Sequence, residues 1–450
     1  MADYAKIFKA YDIRGLVPSE LDEGVAEAVG AAFASLTQAN AVVVVHDMRT
    51  SSPLLAAAFA RGATRAGADV VDGGLGSTDM LYYGSGSLDL PGAMITASHN
   101  PARYNGIKLC RAGARPVGQD TGLAQLREMA MAGASTVATA PGVVAQRDLL
   151  SGYADYLKGL VDLSAIRPLK VAVDAGNGMA GHTVPVVFSG LPLEVVPLYF
   201  ELDGSFPHHE ANPIDPANLA DLQAAVLASS ADIGLAFDGD ADRCFVVDER
   251  GEIVSPSVLT ALIAVRELAR EPGATVIHNL ITSKAVPEIV TEHGGTPVRT
   301  RVGHSFIKAV MSERGAIFGG EHSGHFYFRD FWFADSGMLA ALHVLAALGG
   351  QAGPLSQLLG QYSRYVASGE INSEVKDQAA TTAKVRREFA GRDGVTADEL
   401  DGLTITSGDW WFNLRPSNTE PLLRLNVEAA DDTILAKVTD EVLRIVRDGD

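Results

Sequence analysis

One pattern recurs three times along this chain and constrains its fold more than any other feature. A short run rich in β-branched residues is followed by a polar loop, a helical stretch and a second β-branched run. The copies begin with VVVVH at Val42, KVAVD at Lys170 and ATVIHNL at Ala274. Strand-like runs that alternate with helical patterns are typical of α/β units with largely parallel strands. The recurrence therefore predicts three diverged copies of one α/β domain.

The last stretch of the chain follows a different plan. The helical pattern TTAKVRREFA precedes the strand-like runs LTIT, WWFNLR and PLLRLNVEA, and the amphipathic pattern DDTILAKVTDEVLRIVRD follows them. Two helices around consecutive strands joined by short turns indicate a small α+β domain. A length of 450 residues allows about three domains of roughly 150 residues each, or four smaller ones. The shifts in pattern predict four domains, at residues 1–142, 143–253, 254–367 and 368–450.

The charge balance limits the partners that this chain is expected to bind. It has 36 Lys and Arg residues against 55 Asp and Glu residues, which gives a formal net charge of −19. A protein that binds nucleic acid needs a basic surface to displace counterions, so no nucleic-acid partner is expected. Any phosphate group must instead be held by a local cluster of cations and donors, against the overall field.

Cysteine use and apolar patterning predict a soluble, cytoplasmic protein. Cys110 and Cys244 are too few for a disulfide framework, which favours a reducing compartment. The N-terminal segment MADYAKIFKAYDIRG lacks the apolar region of a signal peptide. The most apolar stretch, MLAALHVLAALGG from Met338, is too short to span a membrane, so no membrane partner is expected.

The motif DGDADR predicts a metal site. Asp238, Asp240 and Asp242 follow the strand-like run ADIGLAF, and a looped backbone can turn all three carboxylates onto one hard cation such as Mg²⁺. An EF-hand calcium loop, in which Glu249 would be the last ligand, is rejected because Arg243 replaces the glycine that its sharp turn needs. A solvated acidic turn is the remaining alternative.

The motif MITASHNPARYNGIK places a serine among polar and basic residues. A strand-like MIT leads into a loop with Ser98, and His99, Asn100, Tyr104 and Lys108 follow closely. Serine is a poor nucleophile unless a base or a local positive charge assists it, and His99 or Lys108 is suited to that role. By composition alone, a simple turn formed by Ser98 and Asn100 is the more frequent outcome.

The motif GGEHSGH suits a sugar. Its two glycines let the backbone approach a ligand, and Glu321 and Ser323 offer an acceptor and a donor on one face of a turn. Such paired polar groups match vicinal hydroxyls, and His325 can carry a proton. An ordinary glycine-rich turn is the alternative.

The motif RPSNTEPLLR suits a phosphate dianion. Arg415 supplies a cation, Ser417, Asn418 and Thr419 supply donors, and Arg424 adds a second charge. The alternative is a β-turn that uses Pro, Ser and Asn for their conformational preferences.

A glycine-rich turn in the second repeat resembles a dinucleotide-binding fingerprint. Gly176, Gly178 and Gly181 match G-x-G-x-x-G after a strand, and Glu194 lies at about the right distance. The segment that follows, HTVPVVFSGLPL, is short and broken by proline, which is poor for the helix that should face a pyrophosphate. We interpret the glycines as a strand-to-helix turn, with a dinucleotide-dependent oxidoreductase as a remote alternative.

Six motifs in order resemble a known family along the whole chain. They are KAYDIRG, TASHNPARYNGIK, DGDADR, GHSFIK, GGEHSGH and RPSNTEP. Together they resemble the α-D-phosphohexomutase family, in its phosphomannomutase/phosphoglucomutase branch. The resemblance implies an α/β fold class, with three related α/β domains with mixed sheets and a C-terminal α+β domain around a central cleft.

The resemblance also implies roles for particular residues. Ser98 matches the family's phosphorylated serine, and Ser98, Asp238, Asp240 and Asp242 match the ligands of one Mg²⁺ ion per chain. The residues implied in substrate binding are Tyr11, Lys284, His304, Lys308, Glu321, His322, Ser323, Arg415, Ser417, Asn418, Thr419 and Arg424. Those implied in proton transfer or positioning are Arg14, His99, Lys108 and His325, with Asn100 and Arg243 in support.

The implied reaction interconverts mannose 6-phosphate and mannose 1-phosphate through a phosphoserine. A hexose 1,6-bisphosphate is then both the intermediate and the activator, and the glucose phosphates are expected as further substrates. His322 stands where glucosamine-specific members usually have glutamine, which argues against that sugar. Phosphoglucosamine mutase is kept as the alternative. A phosphosugar-binding protein without catalysis is the non-enzymatic rival. A monomer or a homodimer is expected.

Overall fold

The structure of this chain is a computed structural model that describes residues 3–133, 138–416 and 422–447, with the backbone alone at residues 304 and 305. Four sheets follow one another along these ranges, and we call the part of the chain that holds each sheet a domain. Three mixed α/β sheets and a final antiparallel sheet with two helices confirm the predicted fold class. None of the described helices is both long and apolar enough to cross a membrane.

The first domain holds a seven-stranded sheet in the order β1-β5-β4-β2-β3-β7, with β6 beside β5. Its strands are β1 (Ile13–Leu16), β2 (Ala41–His46), β3 (Asp69–Leu75), β4 (Gly92–Ile95), β5 (Tyr104–Arg111), β6 (Arg115–Pro116) and β7 (Val144–Gln146). Its helices are α1 (Tyr4–Ile7), α2 (Glu23–Thr37), α3 (Ser52–Arg65), α4 (Thr78–Leu88) and α5 (Leu123–Ala132). Residues 42–45 of β2 are all buried, as expected for a parallel strand covered on both faces.

The second domain holds a five-stranded sheet in the order β12-β11-β10-β8-β9. Its strands are β8 (Leu169–Asp174), β9 (Leu193–Leu198), β10 (Ile233–Phe237), β11 (Cys244–Asp248) and β12 (Ile253–Val254), and its helices are α6 (Leu150–Leu160), α7 (Ala180–Val187) and α8 (Ala220–Ser229). The glycine-rich turn does join a strand to a helix, as predicted. The helix is short, as its sequence indicated, and α7 accommodates Pro185 within its eight residues.

The third domain repeats this plan in the order β14-β13-β15-β16-β17. Its strands are β13 (Thr275–Asn279), β14 (Thr296–Thr300), β15 (Phe318–Gly320), β16 (Phe326–Phe328) and β17 (Ala334–Asp335). Its helices are α9 (Pro256–Arg270), α10 (Ala285–Glu292), α11 (His304–Arg314), α12 (Gly337–Gly349) and α13 (Leu355–Leu359).

The fourth domain is an antiparallel sheet in the order β18-β22-β21-β20-β19 with two helices. Its elements are β18 (Val366–Glu374), α14 (Gln378–Phe389), β19 (Thr396–Asp398), β20 (Leu403–Thr406), β21 (Trp410–Pro416), β22 (Leu422–Ala429) and α15 (Asp432–Arg447). The sequence patterns predicted both helices and three of these strands, but they missed β18 and β19.

Three of the predicted motifs occupy the same position in their sheets. In each of the first three domains, a strand with a parallel neighbour is followed by an antiparallel one: β4 by β5, β10 by β11 and β15 by β16. The loops between them carry Ser98, the Asp238–Asp242 acids and Glu321. Parallel sheets usually present their sites at such strand ends. The repeated topology therefore brings each copy's equivalent loop to the site.

The hydrophobic cores divide the molecule unevenly. One large cluster of buried side chains runs through the first three domains, and it includes Tyr153, Phe331 and Leu342. The fourth domain has its own cluster around Phe389 and Phe412. This cluster thus connects the three α/β domains, although the first domain also has a separate cluster around Phe33 and Phe59, whereas the last domain packs mainly within itself.

Candidate active site

Ser98 lies in the loop between β4 and β5 and is held from both sides. Ser98 is 2% exposed, and its φ of 51° lies in the left-handed region, which costs a non-glycine residue about 1–2 kcal/mol. Its backbone N–H donates to Thr96 Oγ1 at 2.9 Å, and its hydroxyl donates to Asp238 Oδ2 at 2.8 Å. The unusual backbone therefore aims the serine at the acidic loop of the second domain.

The three aspartates of the acidic loop are buried together. Asp238, Asp240 and Asp242 are at most 1% exposed, and each offers an oxygen within 4.8 Å of the others. Burial, together with the charges of the other two carboxylates, raises the pKa of Asp238 well above its usual value. Buried carboxylates are costly unless they are paired or bind a metal.

The donor set at this loop fits a hard divalent cation. Asp240 Oδ1 and Asp242 Oδ1 are buried without a hydrogen-bond donor among the described residues. Carboxylate and hydroxyl oxygens are the ligands that Mg²⁺ prefers, and the Ser98 hydroxyl lies beside the same cluster. The sequence-based interpretation of this loop as a metal site is therefore consistent with its geometry.

Lys108 partly neutralises the acidic loop. Its Nζ donates to Asp240 Oδ2 and to Asp242 Oδ2, both at 2.6 Å. Burial works in the opposite direction, but the charge and hydrogen bonds of Lys108 lower the pKa of both carboxyls. Thr78, at the start of α4, donates its hydroxyl to Asp240 Oδ2 as well, so three elements meet at this carboxylate.

Arg243 lies between two histidines, of which His99 is next to the serine. Its Nη2 lies 3.0 Å from His99 Nδ1, and its Nε donates to His325 Nε2 at 3.2 Å. The positive charge of Arg243, followed by burial, lowers the pKa of His99 well below its usual value. His99 is thus a neutral imidazole, and its Nδ1 lies 3.2 Å from Ser98 Oγ. The same Nδ1 therefore faces both the serine hydroxyl and the Arg243 guanidinium, whose charge disfavours its protonation.

The loop between β15 and β16 forms a compact polar network. The Ser323 hydroxyl donates to Glu321 Oε2 at 2.6 Å, and Tyr327 donates to Glu321 Oε1 at 3.2 Å. Burial alone would raise the pKa of Glu321, yet the hydrogen bond and charge of His325 and the Ser323 hydroxyl lower it to about 2. Burial lowers the pKa of His322 to about 4, and its Nδ1 lies 3.0 Å from Asn279 Nδ2.

A cavity of about 300 Å³ lies against part of this cluster, at Ser98, Lys108, Asp242, Arg243 and His325. Its lining combines residues of all three α/β domains: Lys9, Tyr11, Asp12, Arg14, Tyr82, Ser98, Lys108, Leu109, Pro116, Asp242, Arg243, His325 and Asp335. Arg14 donates to Asn100 Oδ1 and is paired with Asp12. This volume lies at the lower end of the range for small-molecule sites.

Family models match each domain in turn. Models described as alpha/beta/alpha domains I, II and III of phosphoglucomutase/phosphomannomutase match residues 5–133, 151–251 and 256–365. A model of the C-terminal domain of the same proteins matches residues 370–445. The chain belongs to the phosphoglucomutase/phosphomannomutase family. The resemblance inferred from the six motifs is confirmed.

Individual members of the phosphoglucomutase/phosphomannomutase family are similar over nearly the whole chain. Proteins named "Phosphohexose mutases" from Xanthomonas campestris and "Phosphomannomutase" from Escherichia coli K12 are 41% and 39% identical. The alignments cover 98% of this chain and 99% of the first protein, and 97% of this chain and 97% of the second. A solved phosphoglucomutase/phosphomannomutase family protein from Burkholderia thailandensis has a TM-score of 0.91 and 35% identity, covering 100% of this chain and 98% of that one.

Among the described residues predicted to bind substrate, Tyr11 lines the cavity. Those outside its lining are Lys284, Lys308, Glu321, His322, Ser323, Arg415 and Arg424. Lys308 is 3% exposed, and its Nζ lies 2.5 Å from Asp335 and 4.1 Å from the centroid of the Tyr82 ring. Lys284 joins the third and fourth domains, because its Nζ donates to Gly408 O at 3.0 Å. Their predicted substrate contacts remain predictions. The side chain of His304 lies outside the described residues.

The fourth domain presents its arginines as a pair. Arg415 and Arg424 face each other across β21 and β22. Both donate to Glu370, at 3.0 Å and 3.2 Å. One carboxylate between two guanidinium groups leaves a net positive charge at this end of the sheet. Ser417, Asn418 and Thr419, which were predicted to complete a phosphate clamp, lie outside the described residues.

Sequence reasoning missed several residues that shape the site of the present chain. Thr78 contacts the acidic loop, while Tyr82, Asp12 and Asp335 line the cavity. A signal was available for two of them. Thr78 follows strand β3 in the polar segment GSTD, and Asp12 lies inside the motif KAYDIRG.

The glycine-rich turn of the second domain has a packing role in the present chain. A Cβ at Gly178 would lie 2.7 Å from Gly239 O, and one at Gly181 would lie 2.3 Å from Phe200 O. Gly178 therefore lets the turn approach the acidic loop, and Gly181 lets α7 approach the backbone just after β9. The dinucleotide alternative loses its main support because close packing accounts for both glycines.

Proposed function

We propose that this chain catalyses the interconversion of mannose 6-phosphate and mannose 1-phosphate, with the glucose phosphates as further substrates. It is a phosphohexomutase, and the names of curated relatives at about 40% identity support mannose phosphates as its substrates. The observation that carries the proposal is the hydroxyl of Ser98, 2.8 Å from a buried aspartate and among cations inside the cavity.

The proposed reaction transfers a phosphoryl group twice. In the first step, the bond between phosphorus and Ser98 Oγ breaks, and phosphorus bonds to the free hydroxyl oxygen of the hexose monophosphate. The product is a hexose 1,6-bisphosphate, which turns around in the cleft. In the second step its other phosphoryl group returns to Ser98 Oγ, and the alternative monophosphate leaves. Phosphoryl transfer depends chiefly on alignment and charge neutralisation.

The basic residues of the site have different proposed roles in proton transfer. The substrate hydroxyl must lose a proton as it attacks, and the serine oxygen must gain one as it leaves. His99 Nδ1 lies 3.2 Å from Ser98 Oγ, which places it for proton transfer, but the charge of Arg243 lowers its pKa and weakens it as a base. Burial lowers the pKa of Lys108, but the carboxylates of Asp240 and Asp242 raise it by more. This lysine therefore stays charged, and it neutralises negative charge rather than acting as a base. Arg14 and His325 line the cavity and complete the predicted catalytic set.

The proposed metal ligands are Ser98, Asp238, Asp240 and Asp242. A Mg²⁺ ion there would neutralise charge and polarise a phosphoryl oxygen. A phosphoserine carries about −1.5 to −2, and the three carboxylates outweigh a divalent ion. Arg243 and Lys108 therefore have an electrostatic reason to lie at the same place.

Substrate recognition is proposed to depend on two groups of residues. Glu321 and Ser323 suit the 3- and 4-hydroxyls, which mannose and glucose share, so discrimination at C2 should be weak. Arg415 and Arg424 suit the phosphate that is not being transferred, because one guanidinium group can donate two parallel hydrogen bonds to two oxygens of a phosphate. This recognition would tolerate both orientations of the bisphosphate.

A coupled assay with Mg²⁺ and a trace of hexose 1,6-bisphosphate tests the proposal. Mannose 1-phosphate, glucose 1-phosphate and glucosamine 1-phosphate are compared in wild-type protein, Ser98→Ala and the control Ser87→Ala, which changes an exposed serine of α4. Turnover of the first two sugars, its loss in Ser98→Ala and its retention in Ser87→Ala are expected. Full turnover by Ser98→Ala would refute the phosphoserine, and a preference for glucosamine 1-phosphate would refute the substrate assignment.

A further inference from the structure

Arg49 is a fully buried arginine behind the serine loop. It lies between β2 and α3, in the segment DMRTSSP, and is 1% exposed. It is absent from the lining of the cavity that holds Ser98. Its guanidinium therefore has no direct access to a substrate in this cavity.

Every N–H of this guanidinium has an acceptor. Nη2 donates to Ser98 O at 2.8 Å and to Asn100 O at 2.7 Å, and Nη1 donates to Pro101 O at 3.1 Å and to Tyr104 O at 3.0 Å. Nε donates to Asp47 Oδ2 at 3.2 Å. An arginine has five N–H donors in a planar fork, and here all five are used. Four of the acceptors are backbone carbonyls of a single loop, residues 98–104.

These bonds hold the serine in its unusual backbone conformation. The carbonyl of Ser98 follows the left-handed φ of 51°, and Arg49 fixes the direction of that carbonyl. Thr96 fixes the N–H on the other side. Since a left-handed serine is unfavourable by itself, the surrounding contacts must maintain it. Arg49 supplies the charged part of those contacts.

The second domain holds Arg49 and the serine carbonyl in place. The Phe206 ring centroid lies 5.1 Å from the Arg49 guanidinium carbon. A Cβ at Gly204 would lie 2.5 Å from Arg49 Cα, and one at Gly239 would lie 2.5 Å from Ser98 O. Gly239 belongs to the acidic loop, so the carbonyl of Ser98 is enclosed between Arg49 and the proposed metal ligands.

We propose that Arg49 is a positioning residue for phosphoryl transfer, which orients Ser98 Oγ towards the acidic loop by binding four carbonyls of the serine loop. The inference rests on the proposed function of Ser98. Arg49 acts on the chemical step and not on substrate affinity, because it orients the nucleophile from outside the cavity. A misplacement of about 1 Å can lower a rate about 100-fold.

The substitution Arg49→Lys tests this role, because lysine keeps the charge but has three donors and no planar fork. The matched control is Arg167→Lys. Arg167 also donates to two backbone carbonyls and an aspartate, at the junction of the second and third domains. We expect Arg49→Lys to lower kcat about 10- to 100-fold with KM nearly unchanged. We expect Arg167→Lys to change kcat by less than about twofold, while its melting temperature falls.

Two further measurements separate positioning from general stability. The ³¹P resonance of phosphorylated Ser98 should shift in Arg49→Lys and stay in place in Arg167→Lys. In Arg49→Ala, added guanidinium should restore part of kcat, and the same concentration of potassium chloride should not. Should Arg49→Lys fail to fold, Asp47→Asn replaces it, because this change weakens the bond that aims the guanidinium and should lower kcat with KM nearly unchanged.

The outcomes distinguish the inference from the function on which it rests. Wild-type protein without mutase activity and without phosphate on Ser98 would overturn the proposed function and the role of Arg49 with it. An active, phosphorylated wild type with unchanged kcat in Arg49→Lys or its replacement would overturn the inference alone. So would a kcat loss that guanidinium does not restore and that comes without a ³¹P shift.

Discussion

At the scale of single residues, Lys108 and a divalent cation would neutralise the same carboxylates from different sides. The ammonium lies 2.6 Å from one oxygen of Asp240 and one of Asp242, while the other oxygen of each has no donor among the described residues. The side chain of Lys108 is 17% exposed and the two carboxylates are nearly inaccessible. Lys108 therefore neutralises part of the loop's negative charge, and a cation bound at the remaining oxygens would neutralise more of it.

The substitution Lys108→Met should make the stability of the protein depend more strongly on Mg²⁺. Removal of one partner of a buried ion pair costs about 3–5 kcal/mol, because the other charge is left uncompensated. Melting temperatures measured in EDTA and in excess Mg²⁺ should differ more in the variant than in wild type. The control Lys158→Met removes a surface pair with Asp155 and should leave the Mg²⁺ response unchanged. An equal Mg²⁺ response in all three proteins would contradict the expectation.

At the scale of elements, the first turn of α4 connects three domains. Thr78 donates to Asp240 in the second domain. The next residue, Asp79, is fully buried and accepts from Tyr153 of α6 at 2.7 Å and from Ser336, the N-cap of α12, at 2.6 Å. Burial raises the pKa of Asp79 from 3.8 to about 7, although these hydroxyls work in the opposite direction.

The raised pKa of Asp79 predicts a pH-dependent stability. Between pH about 4 and about 7 the unfolded carboxyl is ionised and the folded one is protonated, so the folded state binds the extra proton. The contribution of Asp79 to stability is therefore complete at low pH and is lost as the pH rises to about 7. Asp79→Asn removes this titration. The unfolding free energy of Asp79→Asn relative to wild type should rise by up to about 1.4 kcal/mol per pH unit in this window.

Denaturant unfolding at several pH values measures this difference. Asp155→Asn is the control, because Asp155 lies on the solvent side of α6 with 82% of its side chain exposed. Its free-energy difference from wild type should stay constant with pH. A constant difference for Asp79→Asn as well would show that Asp79 is ionised in the folded protein throughout this range.

The elements also show what sequence patterns could and could not predict. The motifs carrying Ser98, the three aspartates and Glu321 were located correctly, because strand ends and polar loops are local features. The partners of Arg49 and Asp79 were not predictable in this way. Asp79 meets Ser336 across 257 positions of the chain. Nor was β18 predicted. This strand pairs with β22 through backbone hydrogen bonds, and because most of its side chains are exposed or only partly buried, its sequence shows little apolar pattern.

At the scale of the whole molecule, the fourth domain is joined to the rest through a small contact. Trp411 packs on Leu280 and Ile281, and its indole N–H donates to Glu428 Oε1 at 2.7 Å. The same oxygen accepts the backbone N–H of Lys284 at 2.9 Å. The first three domains, in contrast, are connected by one large cluster of buried side chains. Two units with separate cores need not unfold together.

We therefore expect calorimetry to resolve two unfolding transitions, the smaller one from the fourth domain. Phe389→Ala empties the core of that domain, where Phe389 is fully buried, and should cost about 3–5 kcal/mol in the smaller transition alone. Phe331→Ala is the matched change in the shared core, where Phe331 is equally buried, and should shift only the larger transition. A single transition that both variants lower would show that the contact through Trp411 and Glu428 couples the two cores. The separation predicted here leaves the fourth domain able to move on the other three without disturbing the loops that hold Ser98 and its aspartates.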